Sequence, residues 1–295
     1  MLFYILLMIA ICKRRDKLFE DSFFKIYLAD GAVSIISIIL EYSINRPMSH
    51  IRPVCEYFHG NYRYPSYALT PYLYITSYVQ FSKIFATVIL CANRYTCVQY
   101  PVAHKTFWRR RSGQLVLVIL ILPVLFTWQI GISKCYIAAS NSQAFIFYVH
   151  NIPWLGSAYF RMLAAIPSFI FIIFANYIII SKLSQIEGRT RSIERAMTIS
   201  TIFLSIAYAL FITIQGFSLI VSDDMLKESS IVKITALSAI QLCNDFYIMS
   251  SPIALIVTSR RIRRSLFPFG SVPIDYGKSG FLTSNPGQLS LTARP

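Results

Sequence analysis

Hydrophobic residues in this chain are concentrated in runs of about twenty, separated by short polar and charged segments. A helix that crosses a membrane needs roughly 20 mostly apolar residues. Six runs reach that length, at residues 23–42, 71–94, 114–133, 160–183, 195–221 and 231–259. The pattern therefore predicts an all-α membrane protein, with lipid as the main solvent around its helices.

A seventh apolar run, MLFYILLMIAIC, occupies residues 1–12. At 1.5 Å per residue its helix is about 18 Å long, whereas the hydrocarbon core is about 30 Å thick. We interpret this run as a first helix that is short or truncated, which gives a seven-transmembrane helix bundle over residues 1–266. The alternative is a six-span protein with a hydrophobic stub at its N-terminus.

Positive charge is distributed unevenly between the runs. Of 28 Lys and Arg residues in a chain of net charge +15, most lie in the segments 13–25, 94–113, 182–195 and 259–295. Cytoplasmic segments of membrane proteins are rich in Lys and Arg, so we predict an N-terminus outside and a C-terminus inside. Residues 267–295 are rich in Gly, Pro and Ser, and we expect a disordered cytoplasmic tail there.

The same distribution of charge narrows the possible functions. The cations alternate with apolar helices and are not gathered on one soluble face, which argues against nucleic-acid binding and fits contact with anionic membrane lipid. The sequence contains neither His-Glu-X-X-His nor Gly-X-Ser-X-Gly, two motifs typical of hydrolases. We expect no enzymatic activity, no cofactor and no bound metal.

The run at 71–94 is too polar to face lipid on every side. Thr76, Gln80, Lys83, Thr87 and Arg94 follow one another at spacings of four, three, four and seven residues, which places them on one helix face. A face that carries two cations must point to the bundle interior or to a cavity. The alternative is that these polar side chains have no functional role and only form hydrogen bonds with neighbouring helices.

This run ends in NRYTCVQYP, residues 93–101. The sequence resembles the Asp/Glu-Arg-Tyr signature at the cytoplasmic end of the third helix in rhodopsin-like G-protein-coupled receptors. Pro101 and Val102 match the proline that follows the arginine by seven residues in that family, and the apolar residue after it. The resemblance implies that Arg94 and Tyr95 belong to a conformational switch, and that a heterotrimeric G protein recognises its active state.

Two departures from the rhodopsin-like pattern indicate a divergent class. Asn93 replaces the family's carboxylate, so the proton-linked switch assigned to that acid is not implied here. The segment LCNDFYIMSSPI, residues 242–253, lacks Asn-Pro-X-X-Tyr and is more similar to nematode serpentine chemoreceptors, where an Asn-Asp pair precedes a Ser-Pro. The chain resembles such a receptor of class gamma or a sister class such as V.

This resemblance implies a chemosensory receptor that binds a small extracellular molecule and activates a heterotrimeric G protein. Its expected place is the plasma membrane, as a multi-pass protein, with the membrane of a sensory cilium as one location. Two alternatives remain open. Intramembrane charges could form the path of a transporter or ligand-gated ion channel, or the chain could be a truncated, non-signalling receptor.

Asp30 lies in the second helix, as does a functional aspartate of rhodopsin-like receptors. Lys83 is 11 residues before Arg94, about 16 Å along the same face. In that family the corresponding level faces a polar cavity that often holds sodium. Our hypothesis is that the Lys83 ammonium replaces this cation and pairs with Asp30. Asp245 is a competing partner, and Asn244 belongs to the same predicted network.

The polar face of the third helix also predicts a ligand pocket. Continuing from Lys83 toward the outside, this face presents Gln80, Thr76 and Tyr72, and facing helices offer Gln215 and Gln241. The alternative is that these groups pair between helices. No acid lies high on the third helix, which argues against a biogenic amine as ligand.

Cys55 and Cys135 fall in the first and second predicted outer loops. The exterior is oxidising, so a disulfide between them is a candidate. The family's bridge joins the top of the third helix to the second outer loop. Cys55 lies about 15 residues before the third helix, so the resemblance does not fix this pairing.

Overall fold

The computed structural model describes residues 2–13, 22–140, 143–149, 157–183, 190–220 and 230–258. The predicted tail at 267–295 lies outside these ranges. The described chain is mostly helical, and six of its helices are long and apolar enough to cross a membrane. The helical membrane bundle expected from the hydrophobic pattern is thus confirmed, with one antiparallel β-hairpin as a departure from an all-α chain.

The helices begin and end close to the apolar runs, but most extend beyond them. In chain order they are α1 (Leu2–Lys13), α2 (Ser22–Leu40), α3 (Arg46–His50), α4 (Arg52–Tyr62), α5 (Thr70–Gln99), α6 (Pro101–Gly131), α7 (Ser157–Leu183), α8 (Thr190–Ile220) and α9 (Ser230–Thr258). Hydropathy marks only the part of a helix that lies in hydrocarbon. A helix continues past that boundary wherever the polar residues that follow keep the helical pattern of main-chain hydrogen bonds.

The second helix continues through a turn that the sequence pattern did not predict. A π-helical turn over Glu41–Asn45, here called the π turn, joins α2 to α3. The flanking residues Leu40 and Arg46 both have right-handed helical backbone angles, so one apolar helical segment runs over Phe23–His50. A π turn contains one residue more than an α turn and changes which residues face inward.

α5 and α6 meet almost without a loop. Tyr100 alone separates Gln99 from Pro101, so most of the predicted loop at 94–113 is helical. Proline suits the first position of α6 because the N–H that it lacks has no partner within the helix there. His104 and Trp108, four residues apart, face inward on α6. We call this end of the bundle the Arg94 end.

The opposite end is covered by an antiparallel hairpin of β1 (Cys135–Ser140) and β2 (Gln143–Tyr148). Main-chain bonds in both directions join Cys135 to Ser66, at 2.8 and 2.9 Å. The Thr70 hydroxyl donates to the Ser133 carbonyl at 2.8 Å, which ties the start of α5 to the hairpin. We call this the hairpin end.

α5 lies at the centre of the bundle and packs against α2, α6, α7 and α8. The main core cluster includes Ile84 from α5, Tyr208 from α8 and Tyr247 from α9, all nearly inaccessible. The short helix α1 packs on α2 and α9, and its Tyr4 hydroxyl donates to the Ile248 carbonyl. Large apolar side chains on the outward faces, such as Ile170, remain exposed as lipid contact requires.

Candidate functional site

A buried ion pair occupies the middle of the bundle. The Lys83 ammonium donates to both carboxylate oxygens of Asp30, at 2.7 and 2.8 Å, and to the Ser34 hydroxyl at 2.9 Å. Asp30 is 0% and Lys83 3% exposed. An ammonium has three donors, and all three are used here. The structure therefore brings together the two residues that the sequence hypothesis paired.

α9 closes this network. The Ser251 hydroxyl donates to Asp30 at 2.9 Å, and the Tyr247 and Thr87 hydroxyls lie 2.7 Å apart. Sequence reasoning did not assign Ser34 or Ser251 to the site. Ser34 had a usable signal, because it follows Asp30 by four residues and so shares its helix face.

A chamber of about 10 Å³ adjoins the ion pair. This volume holds about one water molecule. Three predicted site residues, Gln80, Lys83 and Asn244, line it together with Ser37, Phe211, Tyr247 and Ile248. Gln215, another predicted pocket residue, is buried on α8 one turn beyond Phe211.

Asp245 belongs to a different cluster from the one proposed for it. Its carboxylate forms an ion pair with Arg46 of α3 and accepts a bond from the Tyr42 hydroxyl at 3.2 Å. Arg46 also donates to the side chain and the main chain of Gln241, both at 3.1 Å. Arg46 lay in a predicted loop, and only the π turn and α3 bring it against α9.

Glu41 lies beside this cluster and is 5% exposed. The Asn45 amide donates to its carboxylate at 2.7 Å. The Tyr72 hydroxyl donates to the Leu40 carbonyl at 3.2 Å, which places the predicted pocket residue Tyr72 next to the π turn. Thr76 follows one turn later on the same face of α5. The predicted ligand residues on α5 thus face a polar region that also contains Glu41.

At the Arg94 end, Asn93 and Arg94 are both buried, at 1% and 5% exposure. The guanidinium carbon of Arg94 lies 3.8 Å from the ring centroid of Phe23, at the start of α2. A guanidinium over an aromatic face is attracted by the ring quadrupole. The sequence analysis did not identify Phe23. A phenylalanine in an apolar run has no feature that distinguishes contact with an arginine from ordinary core packing.

The residues after Arg94 are tied into a rigid corner. The Thr96 hydroxyl accepts a bond from the Trp108 indole at 2.7 Å and lies 3.0 Å from Nδ1 of His104. Tyr95 is half-buried, whereas Pro101 is exposed and Val102 is 85% exposed. The predicted coupling residues therefore share one end of the bundle, with the arginine inside and the apolar side chain outside.

Cys55 and Cys135 lie in one small core cluster at the hairpin end, with Met48, Leu69, Ile137 and Ala144. Both are free thiols. Burial raises the pKa of the Cys55 thiol and that of the Cys135 thiol, and a hydrogen bond from Thr70 to the Cys135 sulfur acts in the opposite direction. Because the two cysteines lie in the same cluster, a disulfide between them stays a prediction.

Comparison with known proteins gives a family. A model of the Srg family chemoreceptors matches residues 1–266. The chain belongs to this family. Among curated relatives from Caenorhabditis elegans, serpentine receptor class gamma-20 is 25% identical over 256 residues, which cover 87% of this chain and 73% of the relative. Serpentine receptor class gamma-4 is 26% identical and covers 98% of this chain and 90% of the relative.

Serpentine receptor class gamma-15 of the same organism is 28% identical over 258 residues, 86% of this chain and 78% of the relative. Membership in the Srg family identifies the chain as a chemosensory receptor of the G-protein-coupled type, embedded in a membrane through several helices. Of the two classes that the sequence resembled, class gamma is the one that these relatives share. The Srg family is a family of receptors, not of enzymes.

Proposed function

We propose that this Srg receptor lies in the plasma membrane, that of a sensory cilium included, with its hairpin end outside and its Arg94 end inside. It binds a small molecule at the hairpin end and activates a heterotrimeric G protein at the Arg94 end. The uneven distribution of Lys and Arg supports this orientation. Arg109, Arg110 and Arg111, all exposed near the Arg94 end, suit contact with anionic lipid.

The observation that carries the proposal is the position of Arg94. It is buried against Phe23, yet it lies only a few residues from the exposed Tyr100 and Val102. Such an arrangement suits a two-state bundle, in which the inner ends of the helices separate on activation. Arg94 leaves Phe23 in the active state and joins Val102 in a surface for the G protein.

α5 links the two ends. Its polar face runs from Tyr72 beside the π turn, through Lys83 in the buried pair, to Arg94. A ligand that shifts α5 relative to α2 changes contacts at all three levels, because α2 supplies the partner at each. Ligand binding and G-protein binding are coupled when both favour the same state of these contacts.

The ion-pair geometry favours a receptor over a transporter or channel. A transport path needs a charged group that can exchange its partner. The three donors of Lys83 are all bonded, and Asp30 also accepts from Ser251. The pair is therefore built as a fixed cation–anion contact between α2 and α5.

Replacing Arg94 with alanine tests the proposal. Wild-type receptor in lipid nanodiscs should accelerate guanine-nucleotide exchange on at least one class of purified G-protein α subunit. Arg94→Ala should lower that basal rate at least tenfold, since it removes the cation from the coupling surface. The matched control is Arg63→Ala, an exposed arginine at the hairpin end, which should keep the wild-type rate.

Two results would contradict the proposal. Equal exchange rates for wild type and Arg94→Ala would show that Arg94 takes no part in G-protein activation. A wild-type receptor that accelerates exchange on no α-subunit class would favour the non-signalling alternative.

A further inference from the structure

The hairpin end contains a buried carboxylate to which no role has yet been given. Glu41 is 5% exposed, and its carboxylate accepts a hydrogen bond from the neutral amide of Asn45 at 2.7 Å. Within the described part of the chain, this is the one side-chain hydrogen bond of Glu41. A buried carboxylate is costly unless a cation or several donors stabilise it.

Among the described residues, Arg46 is the cation within electrostatic range of Glu41. Both of its terminal nitrogens donate to other groups, Gln241 and Asp245. Arg46 and Asp245 form an ion pair, so the group of Glu41, Arg46 and Asp245 carries one net negative charge when the Glu41 carboxyl is ionised. Among the residues that the structure describes, Tyr72 on α5 and Tyr42 in the π turn, both neutral phenols, are the other titratable groups within electrostatic range of this group.

A second polar group beside Glu41 is also unsatisfied. Arg46 Nε is buried and has no hydrogen-bond partner among the described atoms. An oxygen atom of a ligand whose cationic group lies at Glu41 would supply an acceptor for it. π turns inserted into α-helices occur often at functional sites.

We propose that Glu41 binds the positively charged group of the chemosensory ligand, which makes the ligand class small organic amines and related organic cations. This inference rests on the proposed function, because it places the ligand at the hairpin end. The lack of an acid high on the third helix argued against an amine. The structure supplies the acid from the π turn instead, directly after Leu40, whose carbonyl accepts a hydrogen bond from Tyr72 of α5.

The experiment uses n-butylammonium as the probe, with n-butanol and butyrate as neutral and anionic controls of similar size. Full-length receptor in nanodiscs is unfolded by heat at constant ionic strength in potassium chloride. A ligand that binds the native state raises the melting temperature in a saturable way. We expect such a rise with butylammonium, and a clearly smaller one with butanol or butyrate.

Glu41→Gln should weaken the apparent affinity for butylammonium at least tenfold, because it removes the charge and keeps the shape. The matched control is Glu56→Gln, an exposed acid at the same end that pairs with Arg52, and it should bind as wild type. Glu41→Asp retains the charge and should still bind butylammonium, which covers the case in which Glu41→Gln fails to fold.

Three results would overturn the inference: no saturable rise in wild type, an equal rise with butanol, or wild-type binding by Glu41→Gln. Arg94→Ala separates this inference from the proposed function. That variant should still show a saturable rise in melting temperature with butylammonium while losing G-protein activation. Normal signalling in Arg94→Ala would count against the coupling proposal alone.

Discussion

Lys83 is the residue whose environment is most demanding. A cation at mid-membrane is unfavourable unless a partner is within reach, and this lysine is 3% exposed. Asp30 supplies two acceptors and Ser34 a third. The side chain is thus satisfied only in the folded bundle, which makes its pairing sensitive to the loss of either partner.

Substituting Lys83 alone should be more damaging than substituting the pair. Lys83→Met leaves the Asp30 carboxylate buried without a counter-ion, and breaking a buried pair in this way costs about 3–5 kcal/mol. The double variant with Asp30→Asn removes both charges and should recover most of that loss. Thermal unfolding of the purified receptor would measure both; equal stability of the two variants would contradict an ion-pair role.

Sodium dependence provides a second readout on the same residues. If the Lys83 ammonium replaces a bound cation, wild-type basal activity should be equal in sodium chloride and potassium chloride. Lys83→Met opens the Asp30 carboxylate to sodium and should become sodium-sensitive. A wild-type receptor that responds to sodium would contradict the replacement of the cation.

Sequence reasoning located Asp30 and Lys83 because a charge inside an apolar run is rare and therefore informative. It placed Asp245 in the wrong cluster, since linear spacing gives the helix face but not the partner across an interface. Arg46 and Glu41 were overlooked because they lie where the apolar run ends. Only the π turn carries the helix past that point and turns both side chains toward α9 and α5.

At the scale of helices, an aromatic ring at the start of α2 contacts the arginine near the end of α5. Phe23 lies under the Arg94 guanidinium at 3.8 Å, and both side chains are buried. In rhodopsin-like receptors a carboxylate beside the arginine is expected to help hold the resting state. Here Asn93 is at that position, and we propose that the ring of Phe23 holds Arg94 in the resting state.

Removing the ring while keeping an apolar side chain should release this contact. We expect Phe23→Leu to raise basal G-protein activation several-fold, whereas Phe23→Trp should keep it low because an indole also attracts cations. The matched control is Phe24→Leu, since Phe24 is equally buried and packs edge-on against Phe23. Basal nucleotide exchange per surface receptor is the measurement; equal increases in Phe23→Leu and Phe24→Leu would indicate general loosening.

Helical elements were more predictable than the segments between them. Twenty apolar residues in a row allow few structures in lipid, whereas the segment after α6 gave no comparable signal. CYIAAS and QAFIFY each form a six-residue strand. Neither alternates polar and apolar residues regularly, so the hairpin depends on pairing between the strands and on its bond to Ser66.

For the whole molecule, the first helix decides on which sides of the membrane the two chain ends lie. α1 has 12 residues, about 18 Å of helix, and it packs on α2 and α9. If α1 counts as a span, the two ends of the chain lie on opposite sides of the membrane. If it does not, six spans place both ends on the same side.

Epitope tags at the two ends, detected on intact and on permeabilised cells, measure this directly. We expect the N-terminal tag to be accessible from outside and the C-terminal tag only after permeabilisation, as the distribution of Lys and Arg predicts. A tag inserted after Arg63, in the segment between α4 and α5 at the hairpin end, serves as the reference for the outside. Both terminal tags inside would show that α1 does not cross.

The one-residue junction between α5 and α6 has an evolutionary consequence. α6 is a continuous helix of 31 residues, about 46 Å long, and it carries Val102 at its second position. An inserted or deleted residue near that start would rotate Val102 by about 100° relative to the buried face of α6. Natural variants of this receptor should therefore tolerate changes of side chain at this corner far better than changes of length.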